Sequence, residues 1–500
     1  MVDRAASCIC RRRLDWSKIS RVLHWIAVME EQGVLYEAVA DSISGMIASG
    51  TLRPGERVPS VRRLSTQRRV SISTVLKAYE VLEIRGVIEA RPNAGYYVRH
   101  RAPAAAEPSI SRPPSSPQLV GISALVQEIL DARKPGVVSF GAACPSHELM
   151  PTQRLQRVLS SVARRWPTAL TQYVLPPGNE ELRRQIARRA LDFGCNLAAR
   201  DIIITHGAME ALNLCVRAVA RPGDTIALES PTYFGLLQIC EALGIKALEI
   251  PTHPREGISL DALEFALERS KIAAVVIMAN AQNPLGFTMP EDNKKRLARM
   301  LDKRGVPLIE DDVYGDIYYG EERPLPVKAF DRSGNVMLCS SFTKTVAPGF
   351  RLGWVAPGRW HAQVQMLKFI NSVGSPEALQ MTLAEFLSSG GYERQLRSLR
   401  KAFREQVAHV SAAVSEHFPA DTRITRPAGG FILWVELPET VDSVELFRQA
   451  MKNNISLGPG VLFSATDRYR NCIRMGCAEP WSPRIEQAIA RLGELARKQL

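Results

Sequence analysis

No stretch of the 500-residue chain approaches the roughly 20 consecutive apolar residues that cross a bilayer, so no membrane span is expected. The first 28 residues contain Arg11-Arg12-Arg13, but their apolar stretch is broken by Arg21, His24 and later acids, which makes a poor secretory signal. They read as a disordered arm, or as residues ahead of a true start at Met29, and the expected tail runs over 1–33. Cysteine is sparse and unpatterned. Nine residues, an odd number, stand at 8, 10, 144, 195, 215, 240, 339, 472 and 477, mostly inside apolar runs, and read as reduced core thiols of a cytoplasmic protein. Cys8 and Cys10 have no downstream Cys/His pair at zinc-finger spacing, so no metal site is expected. There is no internal repeat.

What is present is a globular composition, 46% hydrophobic and 23% charged, in a chain too long for one ordinary core. The net charge of +13 is unevenly informative. Residues 1–100 hold 16 basic against 10 acidic side chains, so the first fifth carries +6, a bias that suits a polyanionic partner.

From residue 34 the pattern becomes regular. Leu35, Val39, Ile43, Met46 and Ile47 recur at helical spacing up to Gly50. Ser60 is an N-cap candidate for a second helix with Val61 and Leu64 inward; Ser71 or Ser73 caps a third with Val75, Leu76, Tyr79 and Leu82 inward. Two short helices across a three-to-four residue turn have helix-turn-helix spacing. Val87–Ala90 and Gly95–Arg99 then form a basic hairpin around Arg91-Pro92-Asn93-Ala94. Pro54-Gly55-Glu56-Arg57-Val58-Pro59-Ser60-Val61-Arg62-Arg63-Leu64, Val70-Ser71-Ile72-Ser73-Thr74-Val75 and Leu82-Glu83-Ile84-Arg85-Gly86-Val87-Ile88 resemble the winged-helix DNA-binding domain of the GntR family, here 34–100. The resemblance implies DNA contacts by Ser60, Arg62, Arg63, Ser73, Thr74, Lys77, Arg91 and Gly95, in keeping with free N–H groups at a helix start and arginines that read phosphates or guanine edges.

Residues 101–118 hold five prolines and no periodicity, and are expected to be an extended, mobile linker. Beyond 119 helices alternate with short uncharged strands, expected near 202–204, 225–228, 247–250, 273–278, 307–309 and 336–339. That alternation predicts a mainly parallel sheet covered on both faces, with ligands at the carboxyl ends of its strands.

Those ends carry chemistry. Gly207, Ala208 and Met209 open a helix whose N–H groups suit an anion. Tyr233 offers a stacking ring, Asn283 an amide donor in Asn-Pro-Leu-Gly, and Asp311 and Tyr314 follow a buried strand. In Ser341-Phe342-Thr343-Lys344, extended to Arg351, an amine lies between a hydroxyl and a guanidinium. Alone this could be a strand-to-turn passage with a solvated lysine; equally it suits a phosphorylated aldehyde. Together the set suits pyridoxal 5′-phosphate: Lys344 for the aldehyde, Asp311 for the ring nitrogen, Asn283 and Tyr314 for the phenolate, Tyr233 for the ring, and the helix start with Ser341 and Arg351 for the phosphate.

Asn-Pro-x-Gly, Asp-x-x-Tyr and Ser-x-x-Lys in this order resemble the fold-type I aminotransferases over 119–500, which implies an α/β domain with a smaller C-terminal α+β subdomain. By the same resemblance Tyr173 reaches the phosphate of a neighbouring subunit, implying a homodimer, and Arg474 binds a substrate carboxylate; read from the residues alone, Arg474 could instead pair with a protein acid. His206 and Met209-Glu210 depart from the family pattern, and His206 is expected to be packed or hydrogen-bonded rather than catalytic. A GntR winged helix fused to such a domain resembles the MocR/GabR group. The resemblance implies a PLP-dependent DNA-binding transcription regulator that senses PLP or an amino acid by aldimine exchange at Lys344. The alternative is an active aminotransferase with an accessory DNA-binding domain, in which Lys344 also shuttles a proton.

Overall fold

The computed structural model describes residues 35–91, 94–99, 105–124, 126–127 and 136–500. The expected tail, the hairpin-tip residues Pro92 and Asn93, and residues 101–104 of the expected linker lie outside the described residues. The chain divides into two compact units, Met1–Ala102 and Pro103–Leu500.

In the first unit, helices α1 (residues 35–48), α2 (Val61–Arg68) and α3 (Ile72–Ile84) precede a hairpin of β1 (Ile88–Arg91) and β2 (Gly95–Val98). The Ser60 hydroxyl accepts from Arg63 N at 3.3 Å to cap α2, and Ser71 rather than Ser73 caps α3, accepting from Thr74 N at 3.1 Å. Val39, Ile43, Leu64, Val75, Tyr79, Leu82, Ile88 and Val98 form the core. Tyr79 sets its ring edge-on to Tyr96 at 4.9 Å and donates to Pro59 O, tying α3 to both the wing and the start of α2. One residue expected inward is not: Leu76 is 45% exposed. The buried stripe of α3 runs through Val75, Ala78, Tyr79 and Leu82, and Leu76 stands about 100° round the helix from Val75.

The second unit is built on an eight-stranded sheet. Its strands are β4 (Ile203–Thr205), β5 (Thr225–Ser230), β6 (Lys246–His253), β7 (Gly257–Ile258), β8 (Ile272–Ile277), β9 (Leu308–Asp311), β10 (Val336–Ser341) and β11 (Gly353–Ala356), in the order β4-β11-β10-β9-β8-β5-β6-β7. A short parallel pair joins β3 (Val138–Ser139) to β14 (Ile455–Ser456), and a four-stranded sheet orders β12 (Arg423–Ile424), β13 (Ile432–Glu436), β16 (Cys472–Gly476) and β15 (Gly458–Pro459). The strands from β10 to β6 are parallel, as expected, and β5 is buried at every residue because helices cover both faces. The reading missed β11, which runs antiparallel to β4 and β10. Its Gly353 has no room for a side chain: a Cβ there would lie 2.5 Å from the carbonyl carbon of Gly207. The strand therefore brings Arg351, two residues earlier, onto the start of helix Gly207–Val219.

Residues 105–118 were expected to be a mobile spacer, yet they run extended along the second unit under backbone hydrogen bonds. Ile424 N donates to Ala106 O at 2.8 Å, Ser111 N to Thr252 O at 3.2 Å, and Gln118 N to Ala247 O at 2.8 Å. The unsatisfied backbone groups of strands β12 and β6 supply the partners, which composition alone does not disclose. No helix among the described residues is long and apolar enough to cross a membrane.

Candidate functional site

The carboxyl ends of β5, β8, β9 and β10 place most of the expected residues around Lys344. The Lys344 ammonium donates to Ala143 O at 2.5 Å and stands 5.8 Å from the centre of the Tyr314 ring. Burial lowers its pKa to about 8; Arg474 and Arg351 push the same way, while Cys144 and Asp311 oppose them. Asp311 ends β9 and is buried, which raises its carboxyl to about 7, aided by Asp312 and opposed by the Val313 N–H at 3.1 Å and by Lys344. Burial thus works against the charged form of both groups, while each favours the charge on the other. Tyr314 is buried with its ring edge-on to Phe431 at 5.4 Å.

Gly207 and Arg351 meet at the start of helix Gly207–Val219. Gly207 has φ of 73°, and a Cβ on it would lie 2.8 Å from Arg351 Nη2, so the guanidinium rests on bare backbone at the first turn, which continues through Ala208 and Met209. Ser341 is held within its own turn, donating to Leu352 O at 2.9 Å and accepting from Thr343 N at 3.2 Å. The Tyr233 ring covers Gly235, where a Cβ would meet it at 2.5 Å. The Asn283 N–H points to Met278 Sδ at 3.1 Å, while its side-chain Oδ1 is buried with no hydrogen-bond partner.

Arg474, in the middle of β16, is 1% exposed. Its guanidinium donates to Gly141 O and lies 5.2 Å from the centre of the Phe463 ring. Tyr173, by contrast, is 82% exposed and does not enter the pocket of its own chain. His206 is hydrogen-bonded: its N–H donates to Glu210 at 2.7 Å and its Nδ1 is 3.2 Å from Lys368 Nζ. Burial would raise the Glu210 carboxyl, but His206 and Lys368 hold it well below the usual range.

Sequence reasoning overlooked the segment Gly141–Cys144, which faces both Arg474 and Lys344; it has neither periodicity nor a family signature. It also missed Glu229, at the end of β5. That carboxyl accepts from Met278 N at 3.1 Å and Gln282 Nε2 at 3.3 Å, and burial pushes it up to about 8. Gln282 then accepts from Leu285 N at 2.7 Å, so a buried acid braces the turn that presents Asn283.

A second buried network lies behind the lysine. Thr345 and Tyr392 share a hydrogen bond of 3.0 Å, Tyr392 donates to Asp316 at 2.7 Å, and Arg323 bridges Asp316 and Asp312 at 2.7 and 2.6 Å.

On the winged helix, Ser60, Arg62, Arg63, Ser73, Lys77 and Arg91 are exposed. Lys77 pairs with Glu80 at 2.7 Å, and Arg91 lies over Tyr97 at 4.4 Å. Thr74 is 8% exposed, and its hydroxyl shares a 2.7 Å hydrogen bond with Ser71, so it serves the helix cap. Gly95 has φ of 97°, and a Cβ there would lie 3.1 Å from the Arg57 guanidinium.

Residues 35–98 match the gntR family of bacterial regulatory proteins, and residues 150–492 match aminotransferase class I and II. The uncharacterized HTH-type transcriptional regulator YdcR of Escherichia coli is 40% identical over 466 residues, covering 93% of this chain and 99% of the relative. The chain belongs to the MocR-type members of the GntR family. A second Escherichia coli member, the uncharacterized regulator YjiR, is 39% identical across 92% of this chain and 98% of its own. Among solved structures, the alpha-aminoadipate aminotransferase of Thermus thermophilus, complexed with N-(5′-phosphopyridoxyl)-L-leucine, is 28% identical and superposes with a TM-score of 0.70 over 75% of this chain and 94% of that one. As a MocR-type chain, this one carries a DNA-binding winged helix and an aminotransferase-like domain in a single polypeptide.

Proposed function

We propose that the chain is a DNA-binding transcription regulator acting in the cytoplasm, whose second unit binds pyridoxal 5′-phosphate at Lys344 and an amino acid at Arg474. The observation that carries the reading is the pairing of Lys344, its pKa lowered to about 8, with the buried Asp311 in a chain that begins with a GntR winged helix. The residues present fit the cofactor. The bare backbone of Gly207 under Arg351 is an anion cradle that a Cβ would close.

When bound, the cofactor supplies an aldehyde that condenses with amines and a ring that withdraws electrons from them. Arg351, Ser341 and the N–H groups at Gly207, Ala208 and Met209 would hold its phosphate. Tyr233 would cover its ring, Asn283 and Tyr314 would serve its phenolate oxygen, and Asp311 would keep a proton on its ring nitrogen. Lys344 presents a free-base amine at mildly alkaline pH because burial penalises its charged form. Arg474 orients an incoming amino acid by its carboxylate, and the Phe463 ring beside the guanidinium excludes water. Occupancy of the Lys344 and Arg474 sites would be read as altered DNA binding through Ser60, Arg62, Arg63, Ser73, Lys77, Arg91 and Gly95.

The functional form is a homodimer in which Tyr173 reaches the partner's pocket. Tyr173 stands among exposed apolar residues, Trp166, Leu170 and Leu175 in its own segment and Phe369 and Ile370 on helix His361–Ser372. The two segments touch, since Gln365 donates to Pro176 O at 3.4 Å. Sedimentation of wild type against Leu170→Glu tests this: the variant should be monomeric, and a monomeric wild type overturns it.

A second reading, turnover as an aminotransferase, is favoured by the intact Lys344–Asp311 pair and by the likeness to catalytically named structures. Absorbance decides the shared part. Wild type loaded with PLP should be yellow and Lys344→Ala should lose that band; a colourless wild type overturns both readings.

A further inference from the structure

The strap from Ala105 to Gln118 is the path by which the chain leaves the winged helix, and it is fastened to the eight-stranded and the four-stranded sheets of the second unit. Ala106 O is held by Ile424 on β12 of the four-stranded sheet, and Gln118 exchanges two backbone hydrogen bonds with Ala247 on β6, at 2.8 and 2.9 Å. Between them Ser111 is bound twice to Thr252: its N–H donates to Thr252 O at 3.2 Å, and its hydroxyl oxygen accepts from Thr252 N at 2.8 Å.

Thr252 leads directly to the pocket wall. Its buried hydroxyl accepts from Ser230 N at 3.0 Å. The Ser230 hydroxyl is 2.7 Å from the Tyr469 hydroxyl and donates to the buried Glu249 at 2.8 Å. The Ser230 hydroxyl has one proton and gives it to Glu249, so Tyr469 donates to Ser230 and the chain runs from Tyr469 to Ser230 to Glu249. Glu249 in turn accepts from Ser464 Oγ at 2.8 Å and Ala465 N at 3.2 Å.

The members of this network lie on two segments of chain, one leading to Tyr233 and the other to Arg474. Ser230 and Thr252 belong to the eight-stranded sheet, and Tyr233 lies three residues after Ser230. Ser464 and Tyr469 lie on the loop between β15 and the Arg474 strand, and Thr232 N is tied across the seam to Phe463 O at 2.9 Å. Anything gripped by Tyr233 on one side and Arg474 on the other bears on the two halves of the network, and the strap sits on their junction.

We propose that Ser111 is a latch through which filling of the Lys344 pocket tightens the strap that leads to the winged helix. The latch rests on the cofactor reading above and adds to it the route by which the pocket reaches the linker: a filled pocket fixes the two segments in register and holds Ser111 against Thr252, and an empty one lets the strap open.

Hydrogen exchange of the full chain, with and without pyridoxal 5′-phosphate, tests this, with absorbance recorded on the same samples. The cofactor should slow exchange at the Ser111, Gln118 and Thr252 amides by at least about fivefold, and in both Ser111→Ala and Tyr469→Phe, with the absorbance band retained, that difference should shrink below about twofold. A normal band with unchanged exchange in the strap overturns the latch alone, as does a difference that persists in both variants. Absence of any band in wild type overturns the cofactor reading, and the latch with it.

Discussion

The guanidinium of Arg351 lies directly on Gly207, so close that a single methyl at position 207 would stand 2.8 Å from Nη2. Strand β11 enforces the approach, since Gly353 leaves no gap between it and the same helix start. The anion corner thus depends on two missing side chains.

Gly207→Ala should therefore displace Arg351 and strain a backbone at φ of 73°, a conformation that costs an alanine about 1 kcal/mol or more. The expected result is PLP binding weakened at least about tenfold, corresponding to about 1.4 kcal/mol, with the secondary structure retained. Equilibrium titration followed by absorbance measures it; unchanged affinity would remove Gly207 and Arg351 from the phosphate site.

The pH dependence of cofactor capture follows from Lys344. Only its free base attacks a carbonyl, so the capture rate of the apo chain should rise with pH and level off above about 8. Asp311 favours the charged lysine and Arg474 disfavours it. Asp311→Asn should consequently move the midpoint to lower pH, and Arg474→Leu to higher pH. Stopped-flow capture rates across pH read both shifts, and movement in the same direction would contradict the assigned electrostatics.

Arg323 bridges two buried acids, Asp312 and Asp316, and Asp316 also takes the Tyr392 hydroxyl that leads to Thr345. Among the described residues, Arg323→Met leaves Asp312 with only the Asn280 amide and Asp316 with only Arg189, at 3.5 Å, and Tyr392, and should cost about 3–5 kcal/mol in denaturant unfolding. Burial would raise the Asp316 carboxyl, but Arg323 and Arg189 hold it well below the usual range. Because the folded value is depressed, this stabilisation is present above roughly pH 4 and is lost as pH falls further. A wild type whose stability is flat on acidification through that range would contradict it.

Much of this architecture was legible because buried strands and capped helices leave periodic traces. The parallel strands, and Lys344 and Asp311 as candidates at strand ends, could be found from residue type and spacing; Arg474 was singled out by the resemblance to the aminotransferases. Leu76 was misplaced because the stripe of α3 passes through Ala78, which a search for large apolar residues overlooks. Strand β11 was missed because four residues behind a glycine carry no period, and Gly141–Cys144 because its contribution is backbone carbonyls, which any sequence supplies. Residues 105–118 have the composition of a free linker; their hydrogen bonds go through main-chain groups and two small side chains, invisible to a reading by composition.

On the winged helix, Arg62→Ala should weaken DNA binding and reduce the salt dependence by about one counterion if it contacts phosphate, without changing the PLP band. Electrophoretic mobility at several salt concentrations, with absorbance recorded on the same protein, checks this. Equal loss of both properties would contradict independent sites on the two units.

The central claim, that Lys344 serves regulation, is tested most directly by footprinting the DNA upstream of the chain's own gene with wild type and Lys344→Ala, each with and without PLP. The expected result is a protected site whose extent or affinity changes with PLP in wild type and not in the variant. A wild-type footprint indifferent to PLP, or no footprint while keto acid accumulates over many turnovers, would contradict it.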